Sequence, residues 1–188
     1  MSSFQPTDYG PVFAPLTSID RCRPLGAGRP DHLLRKSLQH ATLVTAFGDA
    51  ELADLDVARC CLAGIWLLHD FLDESHAISQ QIESSSGSFW HGIMHRREGD
   101  FSNAKYWFRQ AGDHAVFAQL GPQIEELAAG GDAVAARAIA PGGRFDPYAF
   151  VDACQAAVRS GDTMFCQRVQ QLEWELLFDF CFRHSTRK

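Results

Sequence analysis

The sequence has no excess of positive charge. Its 17 Lys and Arg residues are outnumbered by 23 Asp and Glu residues, which gives a formal net charge of −6 at pH 7 and a pI near 5.7. A nucleic-acid-binding protein usually neutralises phosphates with a broad cationic surface. We therefore expect no nucleic-acid partner.

Long apolar runs are also missing. No stretch approaches the roughly 18 uninterrupted apolar residues of a membrane-spanning helix, and the first 20 residues lack the cationic start and apolar run of an export signal. The six cysteines form no C-x-x-C pair and are mostly placed in apolar helical patterns, as expected for reduced, buried thiols. The sequence predicts a cytoplasmic protein without membrane association.

Three common nucleotide and nucleophile motifs are absent. There is no G-x-S-x-G, no P-loop and no G-x-G-x-x-G after a predicted strand, because Gly26-Ala-Gly28 stands alone. The sequence therefore assigns no cofactor.

The prolines divide the chain into two parts. Residues 1–30 hold five of the eight prolines, which predicts an extended arm that lies on the body of the protein. Residues 31–188 have long apolar-periodic runs with few β-branched alternations, which favours helices. We predict an N-terminal arm at 1–30 and a single all-helical domain at 31–188.

The dipeptide Gly-Asp occurs five times between helix-like runs. Glycine can end one helix in the left-handed conformation, and aspartate can accept backbone N–H groups at the start of the next. This punctuation predicts an all-α fold of stacked antiparallel helical hairpins, irregular in length, without a significant β-sheet. The predicted helices are 31–46, 51–71, 73–83, 87–98, 102–111, 114–129, 132–139, 147–160 and 163–184.

The segment from Phe89 to Ala111 resembles one tetratricopeptide repeat. Gly92, Ala104 and Ala111, together with the aromatic Phe108, stand at the spacings where this repeat packs its two helices closely. The resemblance implies a tetratricopeptide-like scaffold that binds peptides on a concave face.

Two further stretches, 63–76 and 159–162, match the repeat pattern only in part, so the chain is repeat-like and not a regular array. The string HGIMHRREGDFSNAKYWF, from His91 to Phe108, also resembles a segment of a family of uncharacterised microbial and fungal proteins. That resemblance implies no activity.

Polar chemistry concentrates between Trp66 and Trp107. This fifth of the chain holds four of the eight histidines and three of the four tryptophans. Two polar rows occur there at helical spacing. The first row is His69, Asp73, His76 and Gln80, and the second is His91, His95 and Glu98. If the two helices are antiparallel neighbours, imidazoles and carboxylates can converge in one cleft.

Two interpretations of the histidines stay open. In the repeat alignment His91 and His95 occupy packing positions, where a buried, hydrogen-bonded neutral imidazole is a sufficient explanation. Alternatively they bind a metal ion or act as an acid/base pair, helped by Asp73, His76 or Glu98. Because the spacing H-x-x-x-H lacks the glutamate of H-E-x-x-H, no metal is assigned.

Arg96 and Arg97 indicate an anion site. Adjacent guanidinium groups project to different faces of a helix, and in the repeat template both fall where side chains line the concave groove. Their alternative role is a salt bridge to Glu98, Asp100, Asp70 or Glu74.

The last predicted helix has a broad apolar face, which indicates burial on two sides, either by the Pro-rich arm or by a second subunit in a homodimer. Taken together, the patterns predict a non-enzymatic module that holds an acidic peptide or a small anionic ligand. Its predicted groove is lined by His69, His76, Arg96 and Arg97. The alternative is a metal-dependent or His acid/base enzyme with its site at His69, His76, His91 and His95.

Overall fold

The computed structural model describes residues 4–187 and confirms the all-α prediction. Within that range there are eleven α-helices and no strand, although Leu52 and Thr186 form one isolated bridge. The helices are α1 (Gly10–Thr17), α2 (Arg35–His40), α3 (Leu43–Phe47), α4 (Leu55–Leu68), α5 (Leu72–Ser79), α6 (Ser85–Glu98), α7 (Phe101–Ala111), α8 (Ala115–Leu127), α9 (Ala133–Ile139), α10 (Pro147–Ser160) and α11 (Met164–Ser185).

Short 3-10 turns supplement these helices. They are Pro6–Tyr9, His32–Leu34, Ala128–Gly130 and Pro141–Gly143. Between residues 4 and 187, no helix combines the length and the apolar character that a membrane crossing requires.

The prediction of one continuous helix at 31–46 is wrong, because two separate helices, α2 and α3, occupy this region. The chain leaves the helical conformation at Ala41 and starts α3 at Leu43. Thr42 causes the restart, because its side chain accepts a hydrogen bond from the backbone N–H of Thr45 while the Thr45 side chain accepts from the backbone N–H of Thr42. This reciprocal cap favours a new helix over continuation of the old one.

The prediction of an extended N-terminal arm is also wrong in part, since the segment Gly10–Thr17 is helical. Proline at the first turn of a helix loses no hydrogen bond, because the first N–H groups have no intrahelical partner. Pro15 lies inside α1, but the burial of Phe13 and Leu16 offsets the one missing bond. Within residues 4–30, extended backbone is limited to residues outside the Pro6–Tyr9 turn and α1.

This arm covers the broad apolar face of α11. The Tyr9 ring lies 5.1 Å from Phe178 and 5.2 Å from Phe182, in edge-to-face geometry. The Phe13 ring lies 5.5 Å from Phe178. The arm thus accounts for burial on the second side of α11, which removes the observation that motivated a homodimer.

Two of the Gly-Asp pairs end their helices as expected. Gly99 (φ 86°) and Gly161 (φ 83°) adopt the left-handed conformation after α6 and α10. Asp100 then caps α7 by accepting from the backbone N–H of Asn103. Asp113 does not cap α8, because His114 takes that position.

The centre of the fold is α6, which packs against α4, α5 and α7. Close approach depends on glycine: a Cβ on Gly64 would lie 2.8 Å from the Trp90 ring, and one on Gly92 would lie 3.2 Å from the Phe108 ring. The small positions of the repeat-like segment are therefore packing positions. The helix is buried on nearly every side, from Ser86 to Arg97.

The cysteines follow the prediction of free thiols. All six are free, and all except Cys22 are buried. Burial raises the pKa of the Cys61 thiol well above its usual value, so this group stays protonated at neutral pH.

Candidate metal centre

Three histidines from α5 and α6 converge on one point. His76 lies on α5, while His91 and His95 lie one turn apart on α6. The His76 ring centroid is 4.7 Å from that of His91 and 5.3 Å from that of His95, and the His91 and His95 rings stack at 4.7 Å. One nitrogen from each ring lies within 4.8 Å of the other two. The predicted convergence of the two rows is thus met by these three residues.

His91 has the most unusual environment of the three. Its side chain is 2% exposed, and neither Nδ1 nor Nε2 has a hydrogen-bond partner among residues 4–187. A buried polar group without a partner costs about 1–3 kcal/mol. The prediction of a buried imidazole is met, but the hydrogen bond that would make such an imidazole purely structural is missing.

Trp107 covers the outer side of His91. The indole and imidazole rings stack at 3.9 Å with an interplanar angle of 17°. Trp107 is half-buried, so it lies at the edge of the cluster. Trp107 is not among the predicted site residues, and it belongs to the next helix, α7.

His95 has a carboxylate partner. Its Nδ1 lies 3.1 Å from Oε2 of Glu98, one turn further along α6. If Nδ1–H donates to this carboxylate, the lone pair of Nε2 is free to bind an ion or a proton. Both residues belong to the predicted second row.

The neutral imidazole form is favoured at His91 and His95. Burial, followed by the proximity of His95 and His76, lowers the pKa of His91 to about 3. Burial also lowers the pKa of His95, although Glu98 acts in the opposite direction. A neutral imidazole is the form that binds a metal ion, so the lowered pKa values of His91 and His95 favour binding at neutral pH.

The donor set fits a borderline transition metal. Imidazole nitrogen suits Zn²⁺, Cu²⁺ and Ni²⁺, and three histidines form a known type of zinc site. Zn–N bonds of about 2.1 Å place tetrahedral nitrogens about 3.4 Å apart, so side-chain rotation has to bring the three rings slightly closer. His91 has no hydrogen bond among the described residues that such a movement would break.

His69 does not belong to this cluster, contrary to its predicted place in the first row. Asp70 has a positive φ of 66° and breaks the chain between α4 and α5, so the helical spacing does not continue from His69 to His76. The Nε2 atom of His69 lies 2.9 Å from the carbonyl oxygen of Leu16 and binds the N-terminal arm instead.

The two arginines also differ from the prediction, because neither lines an open groove. Arg96 is fully buried, forms a bidentate ion pair with Glu173 and lies 4.5 Å above the Phe150 ring. Arg97 pairs with Asp70 at 2.6 Å, one of the alternatives predicted for it. Glu173 lies 77 positions from Arg96 in the sequence, and no local pattern pointed to it.

Asp73 lies near the cluster but outside it. The side chain is exposed at the first turn of α5 and, with Glu98 and Asp100, lines a cleft of about 680 Å³. Glu98 lines this cleft and also contacts His95, so it lies between the cleft and the cluster.

The helical architecture is compatible with a helical-repeat fold. The tetratricopeptide resemblance and the likeness of the 91–108 segment remain expectations from the sequence. Comparisons with protein-family models, with curated proteins and with solved structures found no match to this chain.

Proposed function

We propose that the protein binds one divalent transition-metal ion, with Zn²⁺ as the first candidate, through His76, His91 and His95. The observation that carries the proposal is His91, whose two ring nitrogens are buried without hydrogen-bond partners among the described residues. A bound cation would provide the missing interaction. The same three residues belong to the alternative enzyme site predicted from the sequence, without His69.

Three protein ligands leave a tetrahedral ion one further position, which water or a substrate can take. A bound ion would supply Lewis-acid chemistry and would lower the pKa of a coordinated water toward about 7. Glu98 contacts His95 and, with Asp73, lines a cleft that we propose as the side from which a small polar molecule approaches the ion. The proposal therefore extends to metal-dependent chemistry, with the substrate left open.

A groove that binds an acidic peptide or a small anion through Arg96 and Arg97 has less support. Both guanidinium groups already pair with buried carboxylates, and opening either pair would leave a buried charge uncompensated. A metal-free acid/base role would use His95 and Glu98 but would leave the close approach of His76 and His91 unexplained. A cytoplasmic location remains a prediction.

The test is metal binding by protein purified without a chelating tag. Isothermal titration with Zn²⁺ should give one site, and replacing His76, His91 or His95 by alanine should weaken binding by about 100-fold or more. The matched control is His40→Ala, which removes an exposed histidine of α2. Absence of a stoichiometric site for Zn²⁺, Co²⁺, Ni²⁺ or Cu²⁺ would refute the proposal.

A further inference from the structure

Glu98 has an unusual position for a surface carboxylate, at the C-terminal end of a helix. It is the last residue of α6, immediately before the left-handed Gly99. A negative charge at a helix C-terminus faces the negative end of the helix dipole, which is unfavourable. The position of Glu98 is thus not explained by stabilisation of its own helix.

The contact that Glu98 makes is directed at the histidine cluster. Its Oε2 lies 3.1 Å from Nδ1 of His95, and its side chain is 36% exposed while that of His95 is 10% exposed. The side chain of an exposed glutamate would otherwise rotate freely. Its contact with Nδ1 of His95 holds the carboxylate against the buried imidazole ring. The carboxylate thereby engages Nδ1 of His95 and leaves Nε2 as the nitrogen for an ion.

We infer that Glu98 is a positioning residue for the metal centre, an inference that rests on the proposed function. By accepting a hydrogen bond from Nδ1–H of His95, the carboxylate fixes the tautomer in which Nε2 carries the lone pair. It also makes the imidazole a stronger donor toward the ion. Carboxylate–histidine–metal arrangements of this kind are common, and loss of the outer carboxylate typically costs 10–100-fold in metal affinity.

His91 supplies the internal contrast for this inference. Its two nitrogens have no hydrogen-bond partner among the described residues, so nothing fixes its tautomer. The stacked Trp107 ring instead restrains the plane of the imidazole. The two α6 ligands are therefore held in different ways, His95 by a carboxylate and His91 by an aromatic face.

The first experiment measures Zn²⁺ affinity in a graded series. Glu98→Ala should weaken binding by about 10–100-fold, and Glu98→Gln by less, because the amide oxygen still accepts from Nδ1–H. Glu83→Ala, which removes an exposed acid from the turn before α6, should bind like the wild type. If the wild type binds zinc and Glu98→Ala binds within about twofold of it, the inference is overturned while the proposed function stands.

The second experiment reads the tautomer directly and needs no metal. Nitrogen-15 spectra of the imidazoles in the metal-free protein, with His95→Ala used to assign the signal, should show His95 protonated at Nδ1 in the wild type. In Glu98→Ala the signal should shift toward a mixture of tautomers. An unchanged tautomer would overturn the role of Glu98 even if the wild type fails to bind zinc. Equal melting temperatures of the metal-free variants would separate positioning from a merely structural effect.

Discussion

At the scale of single residues, the unusual feature is the number of neutral, buried histidines. His114 shows how one of them is held without a metal. Its Nδ1 accepts from the backbone N–H of Val116 at 3.2 Å, and its Nε2 lies 3.0 Å from Oγ of Ser86. Both ring nitrogens are therefore engaged, in contrast to those of His91. The contrast separates a structural histidine from a candidate ligand.

His114 should make the protein less stable in mild acid. Burial lowers its pKa from the usual 6.5 to about 4, so the unfolded chain takes up a proton before the folded protein does. Its contribution to the free energy of unfolding is complete above about pH 6.5 and is lost as the pH falls toward 4. Between about pH 7.5 and pH 5 the loss amounts to about 2 kcal/mol.

Urea denaturation at these two pH values measures this effect. In His114→Asn the amide oxygen can still cap α8, but the side chain no longer titrates. The pH-dependent loss should therefore be about 2 kcal/mol smaller in the variant than in the wild type. Equal losses in both proteins would mean that His114 does not hold a lowered pKa.

Gly28 tests how closely the arm packs against the buried Asp70–Arg97 ion pair. It has a φ of 75°, and a Cβ added there would lie 2.4 Å from the carboxyl carbon of Asp70. Gly28→Ala should lower the free energy of unfolding by about 2 kcal/mol or more, because it strains the backbone and displaces a carboxylate paired with Arg97. Gly26→Ala is the control, since its Cβ meets nothing within 4 Å. Similar melting temperatures for the two variants would contradict this account.

At the scale of helices, the Gly-Asp pairs have unequal roles. Asp100 accepts from the backbone N–H of Asn103 at 3.1 Å and from its side-chain amide at 2.8 Å, whereas Asp113 precedes the residue that caps α8. The backbone N–H of Asn103 lowers the pKa of Asp100. The same dipeptide therefore caps a helix in one place and only ends the preceding helix in the other.

Alanine replacement should separate these two roles. Asp100→Ala should lower the free energy of unfolding by about 1 kcal/mol, because α7 loses its N-cap. Asp113→Ala, at the equivalent position of its own Gly-Asp pair, should change it by less than about 0.5 kcal/mol. Chemical denaturation of both variants measures the difference, and an equal effect would show that capping is not what distinguishes them.

At the scale of the whole molecule, the proposed ion would link two elements. His76 belongs to α5, and the other two ligands belong to α6, so binding joins two consecutive helices that pack together. A ligand that binds only the folded state stabilises it by about 2.7 kcal/mol at a concentration 100 times its dissociation constant. Metal should therefore raise the melting temperature.

Thermal unfolding with and without Zn²⁺ checks this expectation. The wild type should melt at a higher temperature in excess zinc, and a chelator should reverse the shift. His91→Ala should show no shift, while the exposed-site control His40→Ala should keep it. A zinc-dependent shift of the same size in His91→Ala would place the ion elsewhere.

Much of the architecture followed from local patterns. Apolar periodicity and the Gly-Asp pairs predicted most helices, since both act between residues a few positions apart. Thr42 and the N-terminal prolines caused the main errors. A reciprocal cap interrupted one predicted helix, and burial of Phe13 stabilised a helix that its prolines argued against.

The sequence by itself determined the helical class, the turns and the clustering of histidines in one segment, because these depend on spacing along the chain. Only the tertiary structure decided which of those side chains meet. It placed His76 next to His91 and His95. It also hydrogen-bonded His69 to the arm and paired Arg96 with Glu173. Partner choice between distant residues depends on how helices pack and exclude water, and that packing is encoded in no single stretch of sequence.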